Sequence, residues 1–157
     1  MTRTLFWVVA ASVALAACDN KPSAGQASPP TLTADVRSAD SDRAVRGQAL
    51  YQEHCAACHG AHAEGAPNWE KPGPDGKYPA PPLNGTAHDW HHPQAVLVKT
   101  IKEGTVRLGG NMPAWGGKLS DGDVEAVIVW FQSRWPADVY KNWVLIDEKA
   151  RRGQGGH

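Results

Sequence analysis

Cys55-Ala56-Ala57-Cys58-His59 decides how the rest of the chain is read. Two residues separate the two thiols, and a histidine follows the second directly. On a helical turn such thiols lie on one side, so both sulfurs face one partner. The adjoining imidazole can reach that partner from its own face. This arrangement suits a haem held by two thioethers, one to each vinyl group, with His59 as the proximal iron ligand. Other uses of paired cysteines fit less well. A structural zinc site takes about four ligands, but the chain has only three cysteines and no second pair. Recruiting His54 and His62 would make an irregular set. A redox Cys-x-x-Cys sits at the start of a helix after a strand, whereas the residues before Cys55 read as a helix.

The remaining cysteine, Cys18, belongs to an export signal. Met1-Thr2-Arg3-Thr4 carries one positive charge, and Leu5 to Ala17 is an apolar run rich in Ala and Val. A membrane-spanning helix needs about 20 apolar residues; this shorter run matches the hydrophobic region of a secretory signal. Its end, Leu15-Ala16-Ala17-Cys18, resembles the lipobox of bacterial lipoproteins. The resemblance implies cleavage before Cys18 and a diacylglycerol on its thiol. An unpaired exported cysteine is otherwise unusual. Asp19 implies, on the enterobacterial pattern, retention at the inner membrane.

Residues 1–17 are therefore expected to be a lipoprotein signal peptide, and 18–38 the lipidated cysteine with a flexible linker. Asn20 to Thr33 is rich in Pro, Ser, Ala, Gly and Gln, and buries too little apolar surface to offset its ordering entropy. A linker of some twenty residues reaches about 25 Å. The expected location is the periplasmic side of a bacterial membrane, where haem is ligated to such motifs.

Residues 39–136 form the expected globular domain, followed by a tail over 137–157. Sixteen Lys and Arg balance sixteen Asp and Glu, which argues against nucleic acid as a partner and against a strongly charged face. No repeat and no second Cys-x-x-Cys-His occurs, so one covalently bound haem c is expected.

Local signals predict an all-α domain. A first helix starts near Ser41 or Asp42, either able to cap it, and runs to the motif. Gly47, Tyr51 and Cys55 recur every four residues on one face. Gly47 costs about 1 kcal/mol against Ala in a helix interior, a cost that makes sense where another helix crosses closely. A middle helix follows Pro93, with Val96, Leu97 and Ile101 as its apolar face and Gly104 at its end. The closing helix has Ser120 as N-cap with Asp123 three residues on, a variant of the capping box. Val124, Val127, Ile128, Phe131 and Trp135 then repeat at helical spacing, beside Trp130, and Pro136 stops it.

These residues, in this order, resemble a class I (mitochondrial-type) cytochrome c. The resemblance rests on Gly47, Tyr51, Cys55, Cys58 and His59, then Pro81-Pro82-Leu83-Asn84-Gly85, then Met112-Pro113, then the helix bearing Val127 to Phe131. It implies about four helices and long loops around one covalent haem. It also implies a near-perpendicular crossing of first and last helices, with Gly47 against Val127 and Trp130.

The sixth iron ligand follows by elimination. Once Met1 leaves with the signal, Met112 is the only methionine. Gly109-Gly110-Asn111-Met112-Pro113 has no helical or strand period, so it reads as a shaped loop rather than a core position. A thioether favours ferrous iron and raises the potential relative to two histidines. The rivals are His54, His62, His88, His91 and His92, for each of which a surface or hydrogen-bonding role is the default. His54 is expected to face outward.

The resemblance further implies that the Pro81 carbonyl accepts the other ring proton of His59, and that Leu83 packs on the haem. Trp90, with His91, is a candidate for a haem propionate; simple core packing is the alternative for Trp90. The stretch 61–79 is longer than in compact relatives and reads either as cover for a haem edge or as elaboration. The tail, with Trp143, Val144, Leu145 and Ile146, is a candidate cap for the domain, and Arg151 to His157 are expected to be disordered.

The expected function is a membrane-anchored electron carrier, or a haem subunit of an oxidoreductase complex, rather than an enzyme in its own right. Its partners would be electron donors and acceptors outside the cytoplasm. The alternative is a haem enzyme or gas-sensing subunit with a displaceable sixth ligand. An adhesion or scaffold lipoprotein would leave the Cys-x-x-Cys-His unexplained.

Overall fold

The first described helix, α1, spans Ser41–His54 and leads straight into the cysteine motif. The computed structural model describes residues 41–154. The expected signal peptide, Cys18 and the linker lie outside that range. Five α-helices and two 3-10 turns make up the regular structure among the described residues, with no strand. The expected all-α class is observed. No described helix is long and apolar enough to cross a membrane.

Ser41 and Asp42, the expected caps, are both helical residues of α1. The chain relaxes at Cys55 and resumes as a short α2, Ala56–His59. Helical bonds bridge the join: Cys55 N–H donates to the Tyr51 carbonyl at 2.8 Å and His59 N–H to the Cys55 carbonyl at 2.9 Å. Helix α3, Gln94–Glu103, takes Pro93 as N-cap rather than as first helical residue, and stops at Gly104, whose φ is +67°. Its Leu97 and Ile101 are buried, but Val96 is 40 % exposed. The apolar face is therefore narrower than the sequence suggested.

Helix α4, Asp121–Gln132, carries the predicted cap in full. Ser120 Oγ accepts from Asp123 N–H at 3.2 Å, and Asp123 Oδ2 accepts from Ser120 N–H at 3.1 Å. Arg46 on α1 reaches the same carboxylate, donating from Nε at 2.9 Å and from Nη2 at 2.5 Å to Asp123 Oδ1. Helices α1 and α4 form the most intimate helix pair. A Cβ at Gly47 would run into the Ala126 carbonyl and come within 3.0 Å of Trp130 Cβ. The close approach at Gly47 thus falls on Ala126 and Trp130. Tyr51, one turn on, lays its ring against Trp130 with centroids 4.1 Å apart.

The segment after Pro136 corrects the expected tail. Ala137–Gln154 is a fifth helix, α5, and it includes Arg151 and Arg152, which were expected to be disordered. Two features explain it. Trp143 packs into the core cluster beside Trp135 and Tyr140. Arg151 and Arg152 pair one turn back with Asp147 and Glu148, the spacing that supports a helix. Helix α4 stops at Gln132, four residues before the proline expected to end it, and Pro136 stands immediately before α5. Trp135 remains buried although it lies past the end of α4.

Candidate haem-binding site

His59 is the centre of the site. It is 9 % exposed, and its Nδ1 lies 2.9 Å from the Pro81 carbonyl. A carbonyl only accepts, so Nδ1 carries the proton and Nε2 keeps its lone pair. Burial lowers the imidazole pKa, with the Pro81 bond acting against it, which favours the neutral ring that a metal requires. A backbone acceptor on the far nitrogen is the usual way that a ligating histidine is oriented.

The chain around His59 is tightly tied. Tyr51 donates from its hydroxyl to the Gly60 carbonyl at 3.0 Å, closing the end of α2. Gly65 N–H donates to the His59 carbonyl at 2.7 Å, and Leu83 N–H to the Ala63 carbonyl at 2.8 Å. Ala63 is fully buried in the left-handed region at φ +63°. Trp135 donates from Nε1 to the Leu83 carbonyl at 3.0 Å. These bonds set the 81–83 segment alongside the histidine.

Cys55 and Cys58 do not pair with each other in a disulfide. Burial pushes the Cys55 thiol up to about 11, with Cys58 adding to the rise. Among the described residues no group of three or more His, Cys, Asp and Glu side chains is arranged to hold a metal ion. Two cysteines one helical turn apart, next to a buried imidazole whose Nδ1 is engaged, fit covalent haem.

Met112 lies in a loop fastened to the end of α3. Thr105 N–H donates to the Met112 carbonyl at 2.8 Å, and Met112 N–H donates to Thr105 Oγ1 at 3.1 Å. Trp115 N–H donates to the Ile101 carbonyl at 3.1 Å. The Trp115 ring lies 5.1 Å from that of His54, the residue before Cys55, with Lys118 Nζ 5.4 Å from the Trp115 centroid. His54 is thus half-buried against the methionine loop, not directed outward. Cys55, Leu83, Trp90 and Met112 all pack against the one core cluster.

Trp90 sits edge-on to His91 at 3.8 Å and lines a groove with Pro93, Ile146 and Lys149. One side of its indole therefore faces α5. His62, His88, His91 and His92 are exposed. The long 61–79 stretch is ordered by Ala66 N–H to the Ala80 carbonyl at 2.8 Å and by Gly73 N–H to the Lys77 carbonyl at 2.8 Å. Its Trp69 and Tyr78 line a hollow shared with Pro81 and His88.

Two further residues near the site carry no motif in the sequence. Asp89 is 6 % exposed, and neither carboxylate oxygen makes a well-formed hydrogen bond. Burial raises its pKa, while the Trp135 indole and nearby backbone N–H groups pull the other way. Thr105 likewise carries no motif; only its place directly after the terminating Gly104 marks it in the sequence.

The comparisons agree with this geometry. Residues 42–131 match the family model described as cytochrome c oxidase, cbb3-type, subunit III. A cbb3-type cytochrome c oxidase subunit CcoP of Azospirillum brasilense is 35 % identical over 115 residues, 71 % of this chain and 35 % of that protein. The CcoP subunit of Azospirillum sp. strain B510 is 35 % identical over 99 residues, 63 % of this chain and 31 % of its own length. A FixP subunit of Bradyrhizobium sp. strain ORS 278 is 32 % identical over 90 residues, 57 % of this chain and 27 % of that protein. The chain thus spans about a third of the length of the curated relatives it matches. No solved structure matches it. With its helical fold and its Cys-x-x-Cys-His turn, the chain belongs to the cbb3-type cytochrome c oxidase subunit III family and carries a c-type cytochrome domain of class I fold.

Proposed function

We propose that this domain passes single electrons between proteins through one haem held by Cys55 and Cys58 and ligated by His59 and Met112. The bound haem supplies a ferric–ferrous couple. The observation that carries the reading is the hydrogen bond from His59 Nδ1 to the Pro81 carbonyl, which leaves Nε2 free to ligate. Pro81 holds the imidazole plane, and burial favours the neutral form of the ring. Leu83 and the Met112 loop supply apolar walls that restrict water. Met112 offers a soft, neutral sulfur, which favours the reduced state. With His59 and Met112 both holding the haem, no position would be left open to substrate, which suits electron transfer.

The relatives' names, subunits of a cbb3-type cytochrome c oxidase, support other oxidase subunits as partners, and the export signal supports redox carriers outside the cytoplasm, with the haem domain on the periplasmic side of a bacterial membrane. The proposed attachment is a lipid on Cys18, supported by the Leu15-Ala16-Ala17-Cys18 pattern. Cys18→Ser should release the protein from membranes, or leave it unprocessed, while haem attachment survives. A mature N-terminus downstream of Cys18 overturns the anchor alone.

Optical spectra of the holoprotein in both redox states test the ligation. Oxidised protein should show the weak long-wavelength band of a methionine–iron bond, and reduced protein should resist carbon monoxide. Met112→Ala should abolish the band, lower the potential and admit carbon monoxide. Fast binding by the native reduced protein would instead favour a gas-binding or enzymatic haem.

A further inference from the structure

We infer that Thr105 is a positioning residue for the Met112 sulfur, acting through the Met112 peptide and not by contact with the cofactor. This rests on the reading that Met112 ligates the iron.

The geometry is a clasp. Thr105 follows Gly104, where α3 ends at φ +67°. A Cβ at Gly104 would stand 2.6 Å from the Met112 carbonyl oxygen and 2.6 Å from Ala114 N, so the methionine loop lies directly on this glycine. Thr105 then engages both sides of Met112. Its N–H donates to the Met112 carbonyl at 2.8 Å, and its Oγ1 accepts from the Met112 N–H at 3.1 Å. Its own carbonyl accepts from Gly110 N–H at 2.9 Å and from Leu108 N–H at 2.8 Å. A Cβ at Gly110 would collide with Thr105 Oγ1 and stand 2.7 Å from Thr105 Cβ. The glycine therefore makes room for the hydroxyl.

Most of this lacing uses backbone atoms, which any residue at 105 would supply. The hydroxyl is the side-chain atom in it, and its partner is the amide of Met112 itself. Without that acceptor the part-buried amide lacks a partner, and the loop gains freedom where the sulfur must be held. A thioether is a neutral ligand with no net charge to pull it back to the metal, so its occupancy depends on such positioning.

The test uses holoprotein with Thr105→Val, Thr105→Ser and Met112→Ala. Valine keeps the volume and branching of threonine but removes the acceptor; serine keeps the acceptor. Loss of one hydrogen bond of ordinary strength corresponds to about a tenfold rise in the fraction of protein with the sulfur displaced. Carbon monoxide association with reduced Thr105→Val should therefore quicken by about tenfold, and its long-wavelength band should weaken. Thr105→Ser should match the wild type in both. If valine cannot be obtained as holoprotein, Thr105→Ala reads the same loss.

Wild-type behaviour in Thr105→Val or Thr105→Ala, with the band abolished in Met112→Ala, overturns the inference and leaves the ligation intact. Equal defects in valine and serine also overturn it, because the hydroxyl is then not the active group. A native band that survives Met112→Ala overturns the ligation reading first, and the inference with it.

Discussion

Asp147, on the last helix, caps the start of α3: its Oδ1 accepts from the Gln94 N–H at 2.8 Å, across 53 residues of sequence. Helix α3 begins at Pro93, which offers no side-chain cap. The first amides of a helix have no partner within it, so the carboxylate does from a distance what a local Ser or Asp would do. Trp143 adds a second clamp, donating from Nε1 to the His92 carbonyl at 2.9 Å. The last helix thus holds the segment that carries Trp90 from two sides.

Removing this cap should weaken the whole domain. Asp147→Ala leaves the part-buried Gln94 N–H unpaired and Arg151 without its carboxylate, for an expected loss of about 1–3 kcal/mol. Asp147→Asn keeps an acceptor for Gln94 and should cost less. Equilibrium denaturation of both holoproteins measures the difference. Equal losses would mean that the ion pair with Arg151, not the cap, dominates.

At Gly47, two effects oppose each other. Alanine gains about 1 kcal/mol of helix propensity. Its methyl would overlap the Ala126 carbonyl, and overpacking against a neighbouring helix costs about 1–3 kcal/mol or more. Backbone on the far side cannot swing away as a side chain can, so packing should win, with a net loss of about 2 kcal/mol. Gly117→Ala is the control, since nothing lies within 4 Å of a Cβ there. A Gly47→Ala protein as stable as the wild type would contradict the close crossing.

The buried carboxylate of Asp89 makes stability depend on pH. Its pKa is raised in the fold above the unfolded value of about 3.9. Between those two values the native state binds more protons than the unfolded one, so Asp89 subtracts stability as pH rises through that window. Below about pH 3.9 the group is neutral in both states, and the penalty vanishes. Asp89→Asn should therefore gain on the wild type as pH rises, then level off above the folded pKa. Denaturant midpoints of the two proteins at a series of pH values measure this. A difference that stays constant with pH would show that Asp89 is not the titrating group.

The sequence alone determined the features that are local or chemically distinctive. Cys55, Cys58 and His59 are a covalent pattern, and Ser120 with Asp123 is a cap closed within one turn, so neither needs the rest of the fold to be recognised. Helix periodicity singled out Val124, Val127, Ile128 and Phe131 as buried, because a 3.6-residue repeat places them on one face. Tertiary structure decided what depends on distant partners. For residues 137–154 the sequence offers a candidate cap in Trp143 to Ile146, but the docking of Trp143 and the reach of Asp147 to Gln94 depend on the fold. The burial of Asp89 is set by residues distant in sequence, Trp135 among them. The Met112 amide meets the Thr105 hydroxyl only once the loop has closed. In each case the deciding energy is a buried hydrogen bond, or the lack of one, and no local pattern names its partner.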